Sequence, residues 1–275
     1  MPPDSSSAPD LRSLYLSYEF CDAGFDGNRL PLSDRLAGTG QVLFAPGASS
    51  PGLRVDFTTG TELTWQDGEG APQRSAYRAV EVRPGVFYVD WSRPGDRSRS
   101  VSLVLDVPGA RASVLRSALP GAADARAGLY ERILDRDDLS AVDVDVRGMG
   151  IGRPPPADPH PRSTDLVGRR VLCAYGSSTL EHVYLNEHLF CWHVVSGGGA
   201  GAADVDPCAH YRIADDLYLL VWREKLAPAV GMVLLDFARR RSTGKLFYDR
   251  LTEPGTITDY LVGAELTVLN HTRYP

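Results

Sequence analysis

His210–Phe237 reads HYRIADDLYLLVWREKLAPAVGMVLLDF. Within it, Tyr218, Leu220, Trp222 and Glu224 alternate with Leu217, Leu219, Val221 and Arg223. Successive side chains of a strand point to opposite faces, so Trp222 and Glu224 share one. Both faces are largely apolar. This strand is therefore expected to be covered on one side and to line an enclosed space on the other. A carboxylate beside a Trp on that inner wall is the costly residue of the segment.

Outward from this stretch the chain keeps the same texture. Short apolar runs (QVLF, LRVDF, ELTW, YRAVEV, VFYVDW, VSLVLD) are punctuated by Gly, Pro, Asp and Ser. Such spacing predicts an all-β, antiparallel barrel or sandwich. Leu11–Phe20 reads as a first strand, and polar residues 1–10 as a disordered tail. DARAGLYERILDRDD, Asp124–Asp138, predicts the one helix, with Leu129 and Ile133 on a shared face and Asp124 as its cap. GRPPPADPHPRS, Gly152–Ser163, predicts an extended linker running over the surface between modules at 11–151 and 164–275.

After that linker the pattern restarts. Leu36-Ala37-Gly38 is echoed by Leu166-Val167-Gly168, and ELTW ending at Trp65 by LFCW ending at Trp192. YRAVEV from Tyr77 pairs with YRIADD from Tyr211, Trp91 with Trp222, and Asp106 with Asp236. The separations are 130, 127, 134, 131 and 130 residues, in unbroken order. A tandem repeat of one β module explains this.

The duplication lets each copy serve as a control for the other. Trp222-Arg223-Glu224 stands against Trp91-Ser92-Arg93, and Trp192-His193 against Trp65-Gln66. The second module thus collects Tyr175, Glu181, His193, Tyr218 and Glu224. A Glu desolvated on a barrel wall has its pKa raised toward the range useful to a general acid or base. A His titrates near neutrality, and Tyr hydroxyls orient polar groups. Glu224, His193 and Tyr175 are the expected catalytic residues. Cys173, Glu181, Trp192, Val195, Tyr218 and Trp222 are the expected substrate-binding wall. The alternative for Glu224 is a rim position in water, paired with Arg223 or Lys225. His193 could equally be a satisfied core imidazole.

Other features exclude classes of function. A net charge of −6 offers no basic stripe for nucleic acid. No apolar run reaches membrane-spanning length, and MPPDSSSAPD lacks the basic and apolar regions of a secretory signal. A cytoplasmic protein is expected, with Cys21, Cys173, Cys191 and Cys208 as free thiols. His182, His188 and His193 are a weak metal set because a turn at Asn186–His188 separates them, so no metal and no cofactor is expected. VVSGGGAGAADVD has the glycines of a phosphate loop without GK[ST], and reads as a hairpin loop over a barrel mouth. The expected partner is a small molecule. A homodimer is left open.

DLVGRRVLCAYGSSTLEHVYLNEHLFCWHVVSG and YRIADDLYLLVWREKLAPAVGMVLLD resemble the molybdenum cofactor biosynthesis protein F (MoaF) family, and the resemblance runs over nearly the whole chain. It implies two tandem lipocalin-like (calycin) antiparallel barrels with one connecting helix, and a link to molybdenum cofactor synthesis that names no reaction. The second module is also similar, more faintly, to phenolic acid decarboxylases, small barrels that use no cofactor. Their paired tyrosines correspond to Cys173 and Tyr175, their arginine to His193 before Ser196-Gly197, and their catalytic glutamate to Glu224. With one Tyr and the Arg gone, carboxylate binding and cinnamic acid decarboxylation are not expected. Acid–base chemistry of the lyase, isomerase or cyclase type on an aromatic or conjugated metabolite is the expectation, with a non-catalytic carrier as the alternative.

Overall fold

A computed structural model describes residues 24–273 except 137, 251 and 252. The expected tail at 1–10 and strand at Leu11–Phe20 lie outside the described residues. Two closed antiparallel barrels of eight strands each follow one another. Barrel one runs through β1 (Thr39–Phe44), β2 (Leu53–Phe57), β3 (Glu62–Asp67), β4 (Gln73–Arg83), β5 (Val86–Arg93), β6 (Asp96–Asp106), β7 (Arg111–Ala118) and β8 (Asp143–Ile151). Barrel two runs through β9 (Arg169–Ala174), β10 (Thr179–Tyr184), β11 (Leu189–Ser196), β12 (Ala203–Ala214), β13 (Leu217–Arg223), β14 (Ala229–Asp236), β15 (Arg241–Asp249) and β16 (Ile257–His271). Each strand pairs with the next, and the last closes on the first.

Alternation decides what each barrel encloses. Inward positions of barrel two include Tyr184, Phe190, Trp192, Leu220, Trp222 and Val233, and those of barrel one include Leu63, Trp65, Val89, Trp91 and Leu103. Outward positions of the facing sheets form a third apolar layer. Tyr88, Val104 and Leu115 of barrel one meet Leu219, Met232 and Phe247 of barrel two there. The strand Leu217–Arg223 is therefore covered on both faces, one looking into its own barrel and the other onto its neighbour.

Polar groups are embedded in that interface. Lys245 on β15 is fully buried, and its ammonium reaches Asp90 Oδ1 at 2.6 Å and Asp259 Oδ2 at 3.1 Å and also donates to Ser100 Oγ. Arg78 bridges the other oxygens of both aspartates, at 2.5 Å each. Arg83 grips Asp236 with two hydrogen bonds of 2.7 and 2.8 Å.

Two expectations need correction. Asp124–Asp138 is not one helix but two short ones, α1 (Ala122–Arg126) and α2 (Leu129–Arg136), parted at Ala127-Gly128. Ala127 is extended at ψ 133°, and Glu131 accepts a hydrogen bond from Gly128 N at 2.9 Å. The cap of α1 is Gly121 rather than Asp124, and Ile133 and Leu134 remain exposed. The stretch Gly152–Ser163 lies between β8 and β9, bonded to β12 through Ser163 N and Pro161 O and anchored to barrel one by a side chain. His160 is buried there and hydrogen-bonded to Ser113 at 2.8 Å.

Candidate functional site

The interior of barrel two contains a chamber walled by Tyr175, Leu180, His182, Phe190, Trp192, Trp222, Glu224, Leu246, Val262 and Phe25. Its free space is about 10 Å³ measured at the centre of a water molecule, room for about one water. Among the described residues, Phe25 is the one wall residue contributed from outside barrel two's own sequence. Its ring lies 4.8 Å from that of Tyr175. The segment carrying it is tied down by Gly27 N donating to Tyr175 O at 3.1 Å and Asn28 Nδ2 donating to Ala174 O at 2.8 Å. Anything larger than water must displace this plug.

Glu224 follows directly on β13 and keeps the alternation of Leu220 and Trp222, so its carboxyl faces inward. It is only 5% exposed. Trp222 Nε1 donates to its Oε1 at 3.0 Å. The other partner is Asp206 on β12, fully buried, whose carboxyl is hydrogen-bonded to that of Glu224. Asp206 also accepts from Trp192 Nε1 at 2.6 Å and from Lys225 N at 2.9 Å. Burial first, and then the neighbouring Asp206 charge, push Glu224 well above the usual carboxylate range. Burial raises Asp206 as well, while the hydrogen bonds it receives from Glu224 and Trp192 oppose that rise. Asp206 accepts two N–H donors and Glu224 one, which favours the anion at Asp206 and leaves the proton of the pair on Glu224.

The imidazole in this chamber is His182. It sits between Leu180 and Tyr184 on the inward face of β10, edge-on to Phe190 and Trp222 at 5.4 and 6.3 Å. Burial lowers its pKa to about 4, so it is neutral at physiological pH. Tyr175 is buried, and burial raises its hydroxyl pKa, which keeps it a donor.

The expected set is only partly assembled. Tyr175, Trp192, Trp222 and Glu224 line the chamber together. His193 does not: as the neighbour of inward Trp192 it faces out, 42% exposed, with Nδ1 3.6 Å from Glu181 Oε2. Glu181 is likewise external and accepts from Arg170 Nε at 2.8 Å, and Val195 is exposed. Cys173 and Tyr218 are buried in the barrel core but do not line the chamber, and the Tyr218 hydroxyl donates to Asp165 at 3.0 Å. Arg223 and Lys225 pair with Asp138 and Asp204 rather than with Glu224. Asp206 and His182 are the residues that sequence reasoning missed. The inward parity of β10 gave a usable signal for His182. Asp206 was obscured because Asp204 and Asp206 alternate with Ala203, Val205 and Pro207, which gives their face the look of an outer, solvated one.

Gly231 is what lets the Trp222 indole lie where it reaches Glu224. The two residues are ladder partners, and a Cβ on Gly231 would sit 2.1 Å from the indole ring. Gly231→Ala is expected to expel the ring from this position and cost roughly 1–3 kcal/mol, as overpacked cores do. Urea unfolding and a shifted Trp emission spectrum would register both effects, and an unchanged spectrum would count against this placement.

The buried groups also set the pH dependence of stability. His182 and His160 have folded values of about 4 against 6.5 in the open chain, so the unfolded state binds more protons between those values. Stability is therefore expected to fall as pH drops from 6.5 toward 4. Glu224 has the opposite sign. Its raised folded value gives stability that is present below 4.5 and lost as pH rises through the folded value. Thermal midpoints across pH should show His182→Gln flattening the acid limb and Glu224→Gln the alkaline limb.

Comparison with known proteins places the chain. The model of the MoaF N-terminal domain matches residues 14–121, and that of the MoaF C-terminal domain residues 160–272. Protein MoaF of Klebsiella aerogenes is 32% identical over 250 residues, spanning 90% of this chain and 92% of that one. The chain belongs to the MoaF family. A solved Burkholderia vietnamiensis protein described as a beta-lactamase candidate matches 40% of this chain and 100% of its own at 19% identity and a TM-score of 0.34, too low to carry an argument.

Within this MoaF-family chain the ladders correct the alignment of the two copies. Tyr77 pairs with Trp91 and Cys208 with Trp222, so Tyr77 corresponds to Cys208, not Tyr211. At the same offset of 131 residues, Ser75 corresponds to Asp206 and Arg93 to Glu224. Trp65 Nε1 donates to Ser75 Oγ at 3.1 Å, as Trp192 donates to Asp206. Opposite Trp91 stands Val101 instead of a glycine, and the Trp91 indole N–H is buried without a partner among the described residues. Barrel one thus keeps the Trp scaffold without the acid pair. Among the described residues no helix is long and apolar enough to cross a membrane.

Proposed function

We propose that barrel two is a cofactor-independent enzyme site that moves protons on a small aromatic or conjugated metabolite, in lyase, isomerase or cyclase chemistry. The observation that carries this reading is the buried Glu224, beside Asp206 and facing an aromatic chamber in one barrel, with Arg93 and Ser75 at the matching positions of the other. Keeping a carboxyl dry and protonated costs stability, and such groups cluster where chemistry needs them. Glu224 is the proton-transferring residue. Trp222 N–H stabilises the carboxylate left after transfer, and the Tyr175 hydroxyl orients the substrate. Substrate occupies the space that the Phe25 ring vacates.

The test is metabolite capture with two proteins, wild type and Glu224→Gln, followed by mass spectrometry of what each retains or transforms. A compound consumed by the wild type and held unchanged by the variant supports the enzyme. A compound returned unaltered by both makes the protein a carrier and ends the catalytic reading.

A further inference from the structure

We infer that the groove between the two barrels is a second small-molecule site, separate from the chamber of barrel two, and that it binds a flat organic anion. The groove begins at the mouth of barrel one and is walled on its far side by the outer face of barrel two. Its free space is about 660 Å³ by the measure that gives the chamber about 10 Å³. That is the size of a cleft that holds a small ligand, and it is open to solvent where the chamber is plugged.

The strands of barrel one decide what the groove presents. Two residues from the core positions Trp91, Val101 and Val114, toward the end of the barrel, come Arg93, Arg99 and Arg116, and all three line the groove. Beneath them Trp65 and Trp91 close the barrel, their rings edge to face at 5.7 Å. A guest therefore rests on the rim and does not enter barrel one. From the other side come Arg223, at the end of β13, and Arg162 of the connecting stretch. Arg162 is held in place by a backbone bridge to Tyr211, and its guanidinium lies 5.6 Å from the centre of the Tyr211 ring.

Charge decides the guest. Five guanidiniums and four carboxylates line the groove, in a chain whose net charge is −6. Three of the carboxylates are already engaged: Asp67 by Arg116 at 2.7 Å, Asp138 by Arg223 at 2.6 Å and Asp145 by Arg147 at 2.7 Å. Arg99 pairs with Asp96, outside the groove, at 3.2 Å. Among the described residues Arg93 and Arg162 make no ion pair, and Asp143 is the one lining carboxylate without one. Two cations with open forks thus face one open carboxylate, and a guanidinium fork matches the oxygens of a carboxylate or a phosphate. Trp65, Tyr211 and Val221 give the same groove an apolar floor suited to a flat body. Ser117 also lines it, buried, with a hydroxyl that has no partner among the described residues. Arg93 occupies the place that Glu224 holds in barrel two, so the duplicated wall position carries a cation here and an acid there.

Calorimetric titration of the full chain with phenyl phosphate tests this. One molecule should bind per chain, and Arg93→Gln and Arg162→Gln should each weaken binding at least about tenfold, the worth of one charge-assisted hydrogen bond. Near-ultraviolet circular dichroism checks that both variants keep the fold. Arg74→Gln, which changes an exposed arginine of β4 outside the groove, should bind as the wild type does. Benzoate displacing the probe would mark a carboxylate guest and its failure to do so a phosphate guest; either keeps the site. No binding, binding untouched in both groove variants, or equal binding of benzyl alcohol or of inorganic phosphate overturns the inference. Glu224→Gln should leave the affinity unchanged. A loss in that variant would put the probe in the chamber of barrel two and remove the second site, whereas failure of the capture experiment bears on the enzyme reading alone.

Discussion

Glu224→Gln is expected to lower turnover by about 10²–10⁴-fold, the usual contribution of a positioned general acid or base. The replacement is nearly isosteric, and its amide oxygen can still accept from Trp222 Nε1, which now donates to Glu224 Oε1 at 3.0 Å. Its NH₂ can still donate to Asp206, so the hydrogen-bond pattern survives while the transferable proton does not. Substrate affinity should change little, which places the loss in kcat rather than KM. The variant should also be no less stable than the wild type near and above neutral pH, because it removes a group that is costly to ionise in the dry interior. Undiminished turnover would remove Glu224 from the chemistry. A loss confined to KM would make it a binding group.

The second large effect concerns the joint between the barrels. Lys245→Met is expected to destabilise the fold by about 3–5 kcal/mol, the range for removing one partner of a buried ion pair. Burial alone would push Asp90 up, but the Lys245 ammonium and the Arg78 guanidinium outweigh it and hold that carboxyl below its ordinary range. Without Lys245, Arg78 faces two aspartates alone and the Ser100 hydroxyl loses its donor. Adding Asp90→Asn to Lys245→Met should recover part of the loss, since it removes the stranded charge. Urea midpoints of the three proteins decide this. A loss below about 1 kcal/mol in the single variant would show that water or Arg78 makes good the missing charge.

Much of the fold was legible because alternation and repetition are properties of the sequence itself. Leu217–Glu224 carried both the strand and the inward pairing of Trp222 with Glu224, and the recurring Trp positions gave the tandem barrels. The helix was less legible, since Gly128 interrupts an otherwise plausible 15-residue pattern and the apolar residues of α2 find no core.

The site was only half legible, and the reason is parity. His193 stands next to a Trp in sequence, yet adjacent strand residues face opposite ways, so one points into the barrel and the other out. His182 has the right parity, but in the sequence it stands out only as one of three histidines that make a weak metal set. Asp206 could be found only once the ladder of β12 was fixed, and reading Tyr211 as the counterpart of Tyr77 had shifted that ladder by three residues.

An acid held in its protonated form within a closed barrel is a state that infrared spectroscopy sees without any knowledge of substrate. The difference spectrum between wild type and Glu224→Gln, recorded at neutral pH, should contain the carbonyl stretch of a protonated carboxyl that the variant lacks. A spectrum showing only the loss of an ionised carboxylate would mean that Glu224 is an ordinary charged side chain, and the account of barrel two would be wrong.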